Sequence, residues 1–111
     1  MKLTFGEHET LVQIYEDITA NFLTPKTIQE LCNQYAISES KLTKGFRKLY
    51  DISINAYYLE LRMRFAKENL KVGAEVNAIA AQLGYSTPSS FIRAFKKVFP
   101  KPPGNYKFMV K

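Results

Sequence analysis

Read at 100° per residue, the apolar positions recur with a helical period along nearly the whole chain, which predicts an all-α fold of about seven helices. Thr4 to Glu7 has the spacing of a capping box, and Leu11, Ile14, Tyr15, Ile18 and Phe22 then share one face of a first helix. Leu23-Thr24-Pro25 ends it. A second box, Thr27-Ile28-Gln29-Glu30, opens a short helix whose buried side is Ile28, Leu31, Cys32 and Tyr35. The chain breaks at Ala36-Ile37, and Ser38 caps a helix that buries Leu42, Phe46 and Leu49 before ending near Tyr50-Asp51. Short helix, tight turn, second helix is the helix-turn-helix layout.

The next stretch, Ser53 to Lys71, carries apolar residues on two faces rather than one. Ile54, Tyr57, Tyr58, Leu61 and Phe65 make a stripe weighted to its first half; Leu59, Met63, Ala66 and Leu70 make another weighted to its second. An ordinary surface helix has a single stripe. Two offset stripes predict a rod that packs one body near its start and another near its end, with Gly73 as its stop. Beyond it the first pattern returns. Val76, Ile79, Ala80 and Leu83 line a short helix, Gly84-Tyr85 break it, and Thr87 with Pro88 starts another that buries Phe91, Phe95 and Val98. Pro100 stops that helix, and Pro102-Pro103 begins a last short one through Tyr106 and Phe108. Leu31 and Cys32 align with Ile79 and Ala80 at an offset of 48, and Leu42, Phe46 and Leu49 with Phe91, Phe95 and Val98 at 49. The second turn is therefore one residue longer. The expected organisation is a first helix-turn-helix subdomain over residues 1–52 with its second helix near 39–50, a linking helix over 53–72, and a second subdomain over 73–111 with its second helix near 88–99.

Charge adds a direction to this pattern. The chain of 111 residues carries a net charge of +6, with five acids and two bases in residues 1–30 but fourteen bases and five acids after them. That asymmetry points to a polyanion, either nucleic acid or an anionic membrane surface. A single cysteine, Cys32, excludes an internal disulfide and a cysteine-rich zinc site, and fits a reducing cytoplasm. No apolar run approaches the roughly 20 residues of a membrane span. No glycine-rich phosphate loop, carboxylate pair or metal-ligand spacing is present, so neither an enzyme, a cofactor nor a metal is expected. His8 has no partner that suggests catalysis. Arg62, between the two stripes of the rod, reads either as a buried cation that ties the halves together or as a phosphate contact.

The segment Ile-Ala-Ala-Gln-Leu-Gly-Tyr-Ser-Thr-Pro-Ser-Ser-Phe-Ile-Arg-Ala-Phe-Lys-Lys-Val-Phe, residues 79–99, resembles the DNA-binding domain of the AraC/XylS family of bacterial transcription regulators, as does Tyr106-Lys107. The first half resembles it at Leu31, Ser38, Leu42, Phe46, Arg47, Lys48, Tyr57, Leu61, Arg62 and Ala66. The sequence departs from the family pattern at Ala36 and Asp51, where glycine is usual, at Gly45 within the first recognition helix, and at Pro100 to Pro103, where the hydroxyl cap of the last helix is missing. The resemblance implies two recognition helices in successive major grooves, with base contacts from Ser40, Thr43 and Lys44 and from Ser89, Ser90 and Arg93. Phosphate contacts then fall to Lys41, Arg47, Lys48, Lys96 and Lys97. Arg93 suits a base contact because guanidinium bonds guanine O6 and N7 in pairs. Double-stranded DNA and RNA polymerase are the implied partners, for a monomer that binds no effector. The rod, about 27 Å long at 1.5 Å per residue, would set the two reading helices about one DNA turn apart on a site of about 20 base pairs. The alternative reading of the same basic faces is a helical adaptor for acidic proteins or an anionic membrane.

Overall fold

The computed structural model describes residues 2–108. Among them are six α-helices, α1 (Phe5–Ala20), α2 (Ile28–Tyr35), α3 (Glu39–Tyr50), α4 (Ile54–Lys71), α5 (Val76–Gln82) and α6 (Pro88–Val98), followed by a 3-10 turn over Pro103–Tyr106. Local chemistry sets most boundaries. Both capping boxes form, Thr4 with Glu7 and Thr27 with Glu30, and the hydroxyls of Ser38 and Thr87 accept the N–H groups of Lys41 and Ser90. Gly73, at φ 100°, ends α4 with the pair of bonds of a Schellman motif, Ala74 N–H to Asn69 O and Gly73 N–H to Leu70 O, each 3.0 Å.

The chain divides into two compact units, Met1–Tyr58 and Leu59–Lys111, and the division falls within α4. In the first unit α1, α2 and α3 bury Leu11, Ile14, Ile18, Leu31, Cys32, Leu42 and Phe46, and the opening turns of α4 add Ile54, Tyr57 and Tyr58. In the second, the rest of α4 supplies Met63, Ala66 and Leu70 to a cluster with Ile79, Ala80, Leu83, Phe91, Phe95 and Tyr106. The two stripes of α4 thus go to two cores. Phe65, which periodicity groups with the stripe of the first half, packs with Leu59 against the second cluster.

The repeat between the units runs further than α2–α3 and α5–α6. Leu11, Ile14 and Ile18 correspond to Met63, Ala66 and Leu70 at an offset of 52, so α1 matches the second part of α4. Ile54 and Tyr57 correspond to Pro103 and Tyr106 at 49, so the start of α4 matches the closing 3-10 turn. The aromatic contacts follow. Phe46–Tyr50 ring centroids lie 4.9 Å apart and Phe95–Phe99 5.1 Å, while Phe46–Tyr57 at 6.2 Å has its equivalent in Phe95–Tyr106 at 5.5 Å. One position changes chemistry. Tyr15 stacks between Tyr50 and Tyr57 at 4.2 and 5.0 Å; its equivalent is Lys67, whose ammonium sits 4.7 Å from the Phe99 centroid and 5.3 Å from Tyr106. A cation on ring faces replaces a ring stack in the same place.

The first unit also carries a polar knot. The Asp17 carboxylate accepts from Tyr35 Oη at 2.6 Å, Lys26 Nζ at 2.9 Å and Asn21 Nδ2 at 3.0 Å, tying α1 to α2 and the loop between them. Partial burial opposes the charge on Asp17, but these donors outweigh it and hold its pKa below the usual value, while burial and Asp17 push Tyr35 up to about 12.

Two stability predictions follow from this packing. A depressed carboxyl pKa gives stability that is present above the ordinary value near 3.9 and is lost as pH falls through the folded value. Asp17→Asn therefore costs about 1–3 kcal/mol at neutral pH, and its melting-temperature gap to the wild type closes below about pH 4. Gly45 lies on the buried side of α3, where an added Cβ would stand 2.7 Å from Leu11 Cδ1. Helix propensity favours alanine there by about 1 kcal/mol, but crowding a full core costs about 1–3 kcal/mol. Calorimetry of Gly45→Ala should show a net loss of stability; a gain would mean that Leu11 moves aside freely.

Candidate nucleic-acid interface

Each candidate reading helix is entered through the same backbone device. Ala36 and Gly84 stand at equivalent positions with φ of 52° and 83°, and Ile37 and Tyr85 donate to the equivalent carbonyls of Cys32 and Ala80 at 3.2 and 3.0 Å. An alanine in the left-handed region costs about 1–2 kcal/mol that glycine avoids. Asp51, after α3, is also left-handed at φ 57°, a conformation that Asp tolerates better than most residues. Between turn and helix the first unit has only Ile37 before its cap Ser38, whereas the second has Tyr85 and Ser86 before Thr87. Ser86 is the added residue that shifts the offset from 48 to 49.

Burying Leu42 and Phe46 fixes the rotation of α3 about its axis, and Phe91 and Phe95 do the same for α6. Ser40, Thr43, Lys44, Arg47 and Lys48 consequently face outward on α3, and Ser89, Arg93, Lys96 and Lys97 on α6; all nine are exposed. At the offset of 49, four of these positions pair across the repeat: Ser40 with Ser89, Lys44 with Arg93, Arg47 with Lys96, Lys48 with Lys97. Among the described residues, Lys44, Arg47, Arg93, Lys96 and Lys97 enter no ion pair. From residue 76 to 108 the sequence holds five Lys and Arg and no acid. The basic pairs sit in the last turns of α3 and α6, where they also meet the negative end of the helix dipole.

Three of the residues expected at the site are engaged within the protein. Ser90 is half-buried; its hydroxyl donates to Thr87 O at 2.8 Å and accepts from Thr87 Oγ1 at 3.1 Å. Thr43 donates its hydroxyl to Glu39 O at 2.9 Å, which leaves its oxygen only as an acceptor. Lys41 is bound by Glu7, with Nζ 3.1 Å from Oε2 and 3.2 Å from Oε1. Thr43 and Ser90 are not equivalent to each other, since Thr43 matches Ile92 and Ser90 matches Lys41.

Glu7 is the participant that the sequence reading did not connect to the site. Its carboxylate accepts from the Thr4 N–H at 2.9 Å as the capping box requires, and from Lys41 as well. The Thr4 N–H first, and Lys41 after it, keep its pKa below the ordinary value, so it is charged at neutral pH. Arg62, by contrast, has a structural place. It is buried, its guanidinium donates to Leu83 O at the end of α5, and it lies 5.8 Å from the Tyr85 centroid. These contacts lie within the second unit and brace the turn ahead of α6.

A family model described as a helix-turn-helix domain matches residues 31–108, which takes in both turns and both outward faces. The chain belongs to the AraC/XylS family. The transcriptional regulator YdeO of Shigella flexneri is 37% identical over 101 residues, which are 91% of this chain and 40% of that protein. The chain thus spans well under half the length of that curated relative. Among solved structures, a probable AraC family transcriptional regulator from Rhodopseudomonas palustris is 29% identical with a TM-score of 0.75, covering 88% of this chain and 94% of the other. The DNA-binding domain of AdpA, solved with a target DNA, has a TM-score of 0.74 at 15% identity, covering 87% of this chain and 88% of that one, and shares the fold. No helix of the described AraC/XylS chain is long and apolar enough to cross a membrane.

If Arg62 braces the second turn, Arg62→Met leaves the Leu83 carbonyl without that donor, at a cost of about 1–3 kcal/mol. Amide hydrogen exchange should then accelerate at Gly84, Tyr85 and the start of α6, while the amides of Ala36 and Ile37 keep their wild-type rates.

Proposed function

We propose that this chain binds double-stranded DNA in a sequence-specific manner, placing α3 and α6 in successive major grooves, and that it regulates transcription in the bacterial cytoplasm. The observation that carries the reading is the matched outward set on two helix-turn-helix units: a serine near the start, one long cation a turn later, and a basic pair at the end. Residues near the N-terminus of a helix in the major groove reach base edges, and cations further along meet phosphates. Ser40, Thr43 and Lys44 on α3, and Ser89, Ser90 and Arg93 on α6, are the base-facing residues in this reading, with Arg93 the most selective. Ser90 would donate there only by giving up its bond to Thr87 O, and otherwise accepts through its second lone pair. Arg47, Lys48, Lys96 and Lys97 hold the backbone.

Family membership and the DNA-bound neighbour of the same fold support this reading over an adaptor for acidic proteins. In it a single chain acts as a monomer on an asymmetric site of about 20 base pairs, with α4 as the spacer, and activation proceeds through RNA polymerase.

Binding selection from random duplexes, repeated with variants at fixed salt, tests the assignment. Arg93→Ala should flatten the preference at one base pair, worth about 1–3 kcal/mol of discrimination. Lys97→Ala should keep the recovered sequence and weaken every duplex alike, lowering the slope of log K against log salt by about 0.9. An unchanged preference in Arg93→Ala would remove that residue from the base-reading set.

A further inference from the structure

We propose that Glu7 is an affinity-limiting residue that withholds Lys41 from the DNA backbone. The inference rests on the DNA-binding reading above and concerns one charge within it. Lys41 stands in the first turn of α3, beside the cap Ser38 and next to Ser40, where a cation on a DNA-reading helix would meet a phosphate. Its ammonium is instead taken by Glu7, from the first turn of α1, at 3.1 and 3.2 Å to the two carboxylate oxygens. Both residues line an open cleft of about 560 Å³ together with Thr4, Thr10 and Ser38. Glu7 cannot readily turn away, because the Thr4 N–H of the capping box holds the same carboxylate at 2.9 Å.

The repeat supplies an independent argument. The equivalent of Lys41 in the second unit is Ser90, and the equivalent of Glu7 at the α1–α4 offset of 52 is Leu59. Neither unit therefore presents a net charge at this place: the second has no charged residue in either position, and the first has a cation together with the anion that cancels it. A phosphate approaching Lys41 meets Glu7 as well, and the cation cannot leave its partner without stranding a carboxylate against the DNA. Lys41 thus counts as neutral in the binding balance, and Glu7 sets that condition.

The two roles of Glu7 can be separated. Glutamine at this position of a capping box keeps the bond to the N-cap N–H and removes only the charge. The test measures binding of the whole chain to a mixed-sequence duplex at several salt concentrations, for wild type, Glu7→Gln, Lys41→Gln and the double variant, with melting temperatures taken alongside. Lys41→Gln alone strands the Glu7 carboxylate and should bind more weakly than the double variant, which lacks that charge. Glu7→Gln should steepen the slope by about 0.9 and tighten binding roughly eightfold at 0.1 M salt, the gain fading towards 1 M. The double variant should return to the wild-type slope. An unchanged slope in a folded Glu7→Gln, or a double variant whose slope falls about 0.9 below the wild-type value, overturns the inference and leaves DNA binding intact. A wild type that binds no duplex overturns both.

Discussion

The rotation of a helix about its own axis decides which side chains it offers, and in α3 and α6 a pair of buried residues one turn apart fixes that rotation. Leu42 and Phe46 in α3, and Phe91 and Phe95 in α6, are fully buried. Each such side chain contributes about 1.5–3 kcal/mol over its exposed state, so turning the helix would forfeit several kcal/mol. With that face committed, residues at Ser40, Lys44 and Arg47 can only point away from the core, and likewise Ser89, Arg93 and Lys96. The aromatic contacts behind Phe46 and Phe95 reinforce this, since Tyr50 with Tyr57, and Phe99 with Tyr106, close over the same rings.

This constraint also explains why α4 carries two apolar stripes. Each unit needs a helix ahead of its helix-turn-helix pair and a short element after it. The first unit takes α1 and the start of α4; the second takes the remainder of α4 and the turn Pro103–Tyr106. One continuous helix therefore ends one repeat and begins the next. The substitution of Lys67 for Tyr15 shows how far the chemistry can drift while geometry persists. A ring stack and an ammonium on ring faces both cover two aromatic residues at about 5 Å.

Much of the fold was legible because its signals are local. The capping boxes Thr4-x-x-Glu7 and Thr27-x-x-Glu30, the caps Ser38 and Thr87, and the stop at Gly73 all act within a few residues, and each formed where its spacing predicted. The outward faces of α3 and α6 follow from the same periodicity that buries their other sides. What escaped depended on contacts between distant residues. The correspondence of Ile54 and Tyr57 with Pro103 and Tyr106 joins a helix start to a 3-10 turn, which share no period. The reason for Gly45 is Leu11, 34 residues earlier. The partner of Lys41 is likewise 34 residues away, and in sequence Glu7 had already found a sufficient role as a cap. A residue that satisfies one local rule gives no sign of a second, long-range task.

The central claim is that both units read one duplex. Methylation interference at guanine N7 on a site recovered by selection tests it most directly, because N7 lies in the major groove and each methyl group blocks one reading helix. Two clusters of interference about ten base pairs apart on one face of the DNA are the predicted result. A single cluster, with wild-type affinity retained when the rest of the site is methylated, would contradict the claim and leave one of the two matched faces without a part in recognition.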